Sequence, residues 1–204
     1  MGAIAEKVLE DPKREKIIDA AEQLFIANGF AATSMEDVAR AARASKRTIY
    51  TRFRSKEDLF AAVMLSACRD IDAPALDMPD ADASLEEALR AAGQATLFRV
   101  LQPRGLAVLQ VAIGEKSTKP QIMKIYWENG PGYAEAYVRD AIARFAKRKK
   151  KVSAKQAALR FMNMIFGPFL YTALFADTKL PSRKKMNDEL DATIEHFIAW
   201  LSTD

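Results

Sequence analysis

The sequence predicts an all-α protein of about nine helices, with a small N-terminal head followed by a larger helical body. Glycine and proline are scarce, at eight each in 204 residues, and good helix formers are plentiful. Apolar residues recur every three or four positions, and no segment alternates in the manner of a strand. Capping residues precede many of these periodic segments. We therefore expect helices throughout and no β-sheet.

The first helix has clear signals at both ends. Asp11 can cap its N-terminus, and Pro12 fits the first helical position. Asn28 and Gly29 end it, because glycine readily takes the left-handed conformation that follows a helix.

Three short helices are expected next, each opened by a capping pattern. These patterns are Thr33 with Glu36, Ser45 alone, and Ser55 with Asp58. Four helices in about sixty residues must pack on one another as a compact head, which we place at residues 1–55.

The body is assigned to residues 56–204, with a flexible joint at 72–83, where two prolines and four aspartates occur. A kink or a split is expected at 129–132 (NGPG), and a kink at Gly167-Pro168. Five body helices follow from the apolar periodicity, at about 84–102, 104–117, 119–150, 153–176 and 182–202.

One segment of the head carries charge of a single sign. From Arg40 to Lys56 there are seven basic residues and no acidic one. Helices two and three are separated by about three residues and the third is short and basic, which is the form of a helix-turn-helix. With Ile49 and Phe53 facing inward, the opposite face presents basic and hydroxyl groups that suit DNA bases and phosphates, namely Lys46, Arg47, Tyr50, Thr51 and Arg54. A solvated helix face is the alternative, but such faces normally mix both signs.

The segments IIDAAEQLFIANGFAATSMEDVARAA and SKRTIYTRFRSKEDLFAAV resemble the DNA-binding head of the TetR family of transcriptional repressors. The resemblance implies that Thr33 caps the second helix near a phosphate and that Lys46 and Thr48 lie on the recognition helix. It also implies that Tyr50 contacts phosphate and that Lys56 holds the DNA backbone.

The turn departs from the family pattern. Arg43 stands where the family commonly has glycine, so either the turn is strained or Arg43 gains a phosphate contact. Arg47 stands where a small residue is common and is a candidate for reading the target sequence. The DNA-binding residues are therefore expected to be Thr33, Arg43, Ser45, Lys46, Arg47, Thr48, Tyr50, Thr51 and Lys56.

The resemblance also implies that the body dimerises through its last two long helices. The sequence supports this with an apolar stripe on the last helix and a preceding helix that is apolar on nearly all sides. Core packing within one chain is the alternative. The predicted dimerisation residues are Phe166, Leu190, Ile194, Phe197 and Leu201.

A small ligand within the body is implied in the same way. Aromatic and sulfur-containing side chains suit an apolar pocket, although each could equally be ordinary core. They are Met64, Cys68, Phe98, Met123, Tyr126, Trp127, Tyr137 and Phe161. We expect a bulky hydrophobic ligand, while Arg99, Arg139 and Arg160 could meet an acidic one.

Other classes of function find little support. The single histidine and single cysteine form no catalytic or metal-binding pattern, so we expect no enzyme, metal or cofactor. No apolar run is long enough to span a membrane, and we expect a cytoplasmic protein. A second basic run at 146–151 is interpreted as the charged end of a helix, with a second DNA contact as the alternative.

The sequence thus predicts a homodimeric transcriptional regulator that binds an inverted-repeat operator in double-stranded DNA. Release by a small hydrophobic inducer is the expected control. Two alternatives stay open: a DNA-binding protein of this fold without small-molecule control, and a helical adaptor that no longer binds DNA.

Overall fold

The structure, a computed structural model, describes residues 11–67, 76, 83–145, 152–176 and 179–203. These residues form eleven α-helices and no β-strand, which confirms the predicted fold class. The helices are α1 Pro12–Asn28, α2 Met35–Ala41, α3 Lys46–Arg52, α4 Lys56–Ala67, α5 Leu85–Val100, α6 Pro103–Gly114, α7 Pro120–Asn129, α8 Pro131–Phe145, α9 Ala154–Phe166, α10 Leu170–Phe175 and α11 Arg183–Ser202. None of the described helices is long and apolar enough to cross a membrane.

The chain divides into two compact units. The first contains residues 1–69 and 107–126, and the second contains residues 70–106 and 127–204. Helix α4 packs on α1 within the first unit. The division at residue 55 stays a prediction. Cys68, most of the joint at 72–83 and the basic run at 146–151 lie outside the described residues.

The first unit is built around three phenylalanine rings. Phe25, Phe30 and Phe60 are at most 1% exposed, and their ring centroids lie 5.4 to 5.7 Å apart. Two of the three ring pairs meet edge to face, the geometry that aromatic quadrupoles favour. This cluster fixes α1 and α4 against the loop that leads into α2.

Both predicted ends of α1 are confirmed. The carboxylate of Asp11 accepts hydrogen bonds from the backbone N–H groups of Lys13 and Arg14, and Pro12 is the first helical residue. Gly29 follows the helix with φ of 82°, a conformation that residues with a side chain rarely take.

The second unit packs α5, α8, α9 and α11 around one apolar core. Helices α5 and α11 approach closely at Gly93, where an added Cβ would lie 2.3 Å from Leu190 Cδ1. Both sites are full breaks, since α7 ends at Asn129 and α9 ends at Phe166, whereas the second was expected to be only a kink. They divide two of the five predicted body helices, which explains why eleven helices are found where about nine were expected.

Candidate nucleic-acid interface

Helices α2 and α3 form a tight helix-turn-helix. The N–H of Ala42 donates to the Val38 carbonyl at 2.8 Å, and the N–H of Ala44 donates to the Ala39 carbonyl at 2.9 Å. These two backbone hydrogen bonds lie in the turn that joins the end of α2 to the N-cap of α3. The turn is therefore fixed by its own backbone.

Arg43 occupies the strained position of this turn. Its φ is 51°, and it is the one non-glycine residue with positive φ in the described part of the chain. The left-handed region costs an L-residue about 1 kcal/mol. The strain expected at this position is thus present, and the exposed arginine side chain lies next to the start of α3.

The predicted cap of α3 is confirmed. The Ser45 hydroxyl accepts a hydrogen bond from the Thr48 N–H at 3.0 Å. It also lies 2.8 Å from the Thr48 hydroxyl. The side chain of Thr48 is therefore used in part to hold the start of the helix.

The two faces of α3 differ in the way that the sequence predicts. Ile49 and Phe53 are buried at 0% and 3% exposure, which anchors the helix. On the other side Arg47 is exposed and Tyr50 is 52% exposed. Arg47 has no acidic partner among the described residues. The Thr51 hydroxyl donates to the Arg47 carbonyl at 2.6 Å and so is partly occupied by the helix itself.

Lys46 forms an ion pair that the sequence did not indicate. Its Nζ lies 2.9 Å from Glu36 Oε1, on the neighbouring helix α2. This hydrogen bond lowers the pKa of the Glu36 carboxyl and raises the pKa of the Lys46 ammonium. Both side chains are largely exposed, so the pair contributes little to stability and can open when a phosphate approaches.

The structure corrects the prediction for Thr33. Its side chain is buried, and its hydroxyl donates to the carbonyls of Gly29 at 2.9 Å and Leu24 at 3.2 Å. The residue that caps α2 is Ser34, whose hydroxyl accepts from the Asp37 N–H in a complete capping box. Thr33 therefore ties α2 to the end of α1.

Lys56 makes contacts within the fold that the sequence did not indicate. Its Nζ donates to the carbonyls of Phe30 at 2.7 Å, Thr33 at 2.6 Å and Ala31 at 3.3 Å, and it lies 4.4 Å from the centroid of the Phe30 ring. Burial lowers the pKa of this ammonium, and the nearby charge of Lys119 lowers it further. Lys56 thus holds the loop before α2, and its donors are aimed at that loop.

Glu115 is a residue that the sequence analysis missed. It is 7% exposed, and its Oε1 accepts a hydrogen bond from the Ala31 N–H at 2.8 Å. Its Oε2 accepts from the Thr118 hydroxyl at 2.9 Å. The partners Ala31 and Glu115 are 84 residues apart, so no local pattern could have revealed the contact.

The predicted ligand residues are divided between the two units. Met64 and Tyr126 are buried and Met123 is half-buried in the first unit, while Phe98, Tyr137 and Phe161 are buried in the second. Trp127 is 45% exposed. Phe98 lines a cleft of about 320 Å³ in the second unit, beside the guanidinium of Arg183.

Most of the predicted dimerisation residues are buried within their own chain. Leu190, Ile194, Phe197 and Leu201 are at most 2% exposed and form part of the core of their own chain. Of the predicted set, Phe166 is partly accessible. The apolar stripe on α11 therefore serves packing within one chain, which was the alternative in the sequence analysis.

Two parts of the chain match models of known protein families. Residues 17–63 match the family model described as bacterial regulatory proteins, tetR family. Residues 87–202 match a model described as AefR-like transcriptional repressor, C-terminal domain.

Several individual proteins are also similar. The solved structure of the flavonoid-responsive regulator FrrA is 28% identical, with a TM-score of 0.69, and the match covers 92% of this chain and 96% of that one. A TetR family transcriptional regulator from Pseudomonas syringae is 26% identical, with a TM-score of 0.66, covering 94% and 97%.

Curated relatives match over shorter stretches. The HTH-type transcriptional regulator YhgD of Bacillus subtilis is 27% identical over 113 residues, which are 55% of this chain and 57% of that protein. QacR of Staphylococcus aureus is 35% identical over 51 residues, covering 25% and 27%. The matched part thus spans little more than half the length of these relatives, or less.

A fixed turn, a recognition helix with one basic face and the two matched models define a DNA-binding transcriptional regulator of the helix-turn-helix class. Within that class, the chain belongs to the TetR family.

Proposed function

We propose that this protein is a homodimeric repressor that binds an inverted-repeat operator and leaves it when a small molecule binds the body. The observation that carries the proposal is the exposed face of α3, where Arg47 and Tyr50 project from a helix anchored by Ile49. Arginine can bond the O6 and N7 atoms of guanine, and tyrosine can donate to a phosphate. The action would take place on chromosomal DNA, and we therefore place the protein in the cytoplasm.

Repression and ligand control are supported by the relatives. The model that matches the body is described as that of a transcriptional repressor, and FrrA is described as flavonoid-responsive. A ligand can act only if it binds one conformation of the dimer more tightly than another. We propose that the DNA-free conformation is the one that it favours.

A dimer surface is proposed on the outer faces of α9, α10 and α11. Tyr171 and Phe175 of α10 are 73% and 75% exposed, and their rings stack with centroids 5.1 Å apart. Trp200 of α11 is half-buried under the guanidinium of Arg160. Large exposed aromatic side chains grouped in this way are typical of a protein interface. A two-fold dimer would place two copies of α3 at half-sites one or more helical turns apart.

The first test is selection of bound fragments from a random or genomic DNA pool at near-physiological salt. Recovery of one inverted repeat is the expected result. Diverse fragments whose affinity falls steeply with salt would indicate phosphate binding alone. If no fragment is recovered, the protein would be a helical adaptor or would already hold its inducer.

Two variants then separate reading of bases from positioning on the backbone. Arg47→Ala is expected to relax preference at one base position and to cost about 1–3 kcal/mol there. Tyr50→Phe, which removes only the hydroxyl, is expected to weaken all sequences alike. Operator titrations on a panel of single-base variants give both results. If both variants bind like the wild type, α3 is not the recognition helix.

A further inference from the structure

The body contains a buried carboxylate with one oxygen that its own fold leaves unpaired. Glu135 of α8 is 7% exposed. Its Oε1 is the one buried side-chain oxygen or nitrogen without a hydrogen-bond partner in the described part of the chain. Leaving a buried polar atom unpaired raises the free energy of the folded state, so such atoms are rare unless they serve a purpose.

The local partner that the sequence offers is engaged elsewhere. Arg139 follows Glu135 by four residues, which is the best spacing for a glutamate and a cation on one helix. In the structure, Arg139 Nε instead donates to Asp140 Oδ1 at 3.1 Å. The protein therefore leaves the Glu135 carboxylate without this cation.

The neighbourhood of Glu135 on α8 is apolar and aromatic. Ala134, Tyr137 and Val138 belong to the buried core of the second unit. Gly132 lies three residues before Glu135, and an added Cβ there would be 2.5 Å from Trp127 Nε1, so the indole rests on this turn of the helix. A single charged group against apolar and aromatic surface is typical of a small-molecule site.

The arginines that could have met an acidic ligand are already occupied. Arg99 Nη1 donates to the Ala95 carbonyl at 3.0 Å, and the Arg160 guanidinium lies 4.4 Å from the centroid of a Trp200 ring. Arg139 is paired with Asp140. At Glu135 itself the charge is that of a carboxylate, which favours a hydrogen-bond donor and disfavours an acid.

We propose that Glu135 is a ligand-binding residue of the body and that its carboxylate accepts a hydrogen bond from an ammonium or hydroxyl group on an otherwise apolar, aromatic ligand. This inference rests on the proposed function, in which the body binds a small molecule. It changes the expected ligand from a purely hydrophobic one to one with a donor at a defined position.

The first part of the test needs no ligand. Glu135→Met replaces the carboxylate with an apolar side chain of similar length, and Glu195→Met is the matched change at an exposed glutamate of α11. Because Oε1 is unpaired, we expect Glu135→Met to keep or raise the melting temperature. A fall of more than about 4 °C, with no fall for Glu195→Met, would mean that the fold itself uses the carboxylate and would overturn the inference.

The second part compares probes that differ only in the donor. Quercetin is paired with its pentamethyl ether, and 1-naphthylmethylamine, charged at neutral pH, is paired with 1-ethylnaphthalene. Binding to the full chain is followed by calorimetry and by tryptophan fluorescence. We expect a donor probe to bind about 10- to 100-fold more tightly than its partner, and Glu135→Met to remove that difference. An effect in the quercetin pair would indicate a hydroxyl donor, and an effect in the naphthalene pair would indicate an ammonium donor.

The outcomes also separate this inference from the proposed function. If probes release the operator and Glu135→Met leaves their affinity unchanged, ligand control stands and Glu135 is not the anchor. If no donor probe binds at millimolar concentration while the operator is bound, both the anchor and this ligand class are excluded. Loss of operator binding in the wild type would instead count against the proposed function alone.

Discussion

At the scale of single residues, Arg43 has a strained backbone conformation and lies next to the exposed face of α3. Its φ of 51° would suit glycine better, and the turn would form more readily with glycine there. The exposed guanidinium lies on a concave surface with Lys13 and Lys16, beside the start of the recognition helix. A charge directed at the DNA backbone would explain why a strained arginine is kept.

Arg43→Gly is therefore expected to raise the free energy of unfolding by about 0.5–1 kcal/mol, because it removes the strain of positive φ. The same variant is expected to bind the operator more weakly and with a smaller dependence on salt, since one phosphate contact is lost. Urea unfolding and operator titration at several salt concentrations measure the two effects.

Arg43→Ala is the control for this prediction. It removes the charge but keeps a Cβ at positive φ, so it should weaken DNA binding without the gain in stability. Equal operator affinity for all three proteins would show that Arg43 makes no phosphate contact.

The sequence could predict the role of a residue when its contacts lie within one helix, and could not when they lie far along the chain. The cap at Ser45 and the buried Ile49 follow from spacing within one helix, and both are present. The cap of α2 was misplaced by one residue because Thr33 and Ser34 are adjacent and each has an acid three positions later. The role of Lys56 could not be predicted, since its carbonyl partners lie 23 to 26 residues away.

At the scale of elements, α2 depends on its capping box. The hydroxyl of Ser34 accepts from the Asp37 N–H at 3.1 Å, and Asp37 Oδ2 accepts from the Ser34 N–H at 3.1 Å. Hydrogen bonds from Ser34 lower the pKa of the Asp37 carboxyl below its usual value. A lowered carboxyl pKa stabilises the fold above the unfolded value near 4, and this stabilisation is lost as the pH falls through the folded value.

Ser34→Ala is expected to lower the free energy of unfolding at neutral pH by about 1 kcal/mol, as the loss of a helix cap does. It should also raise the pKa of Asp37, so that the difference from the wild type narrows as the pH falls below about 4. Chemical denaturation from pH 3 to 7 and carboxyl NMR titration measure these effects. A stability difference that is constant across this range would mean that Asp37 does not depend on Ser34.

Helix breaks were predictable because their causes are local. Proline in the interior of a helix removes a backbone hydrogen bond and clashes with the preceding turn, and both sites that the sequence indicated, at 129–132 and at Gly167-Pro168, interrupt the helices of the body. It was harder to predict whether an apolar stripe faces the core of its own chain or a partner chain. A helix with apolar residues on one face looks the same in sequence whether that face meets its own core or a partner chain.

At the scale of the whole molecule, the proposed dimer depends on surfaces that one chain leaves uncovered. Tyr171 and Phe175 are the most exposed large apolar side chains among the described residues. They do not belong to the stripe that the sequence indicated. The fold class and family could be predicted from the sequence, whereas the outward face of the last helices required the structure.

The double variant Tyr171→Ser and Phe175→Ser is expected to shift the dimer towards monomer and to weaken operator binding, because each half-site alone binds less tightly. Light scattering during size-exclusion chromatography measures the first effect, and operator titration measures the second. Ile26→Ser and Ile113→Ser together are the control, since these isoleucines are also exposed but lie in the first unit. A variant that remains dimeric would exclude α10 from the interface.

The bond between Ala31 and Glu115 has a consequence for how the head is completed during synthesis. A ribosome releases residues 11–67 well before residue 115, so the first four helices can collapse around Phe25, Phe30 and Phe60 while the Ala31 N–H still lacks its carboxylate. The loop before α2 is held at that stage by Lys56 and by the Thr33 hydroxyl. The nascent head therefore gains the Glu115 contact only after residue 115 has left the exit tunnel, and a fragment cut after α4 would lack this contact permanently.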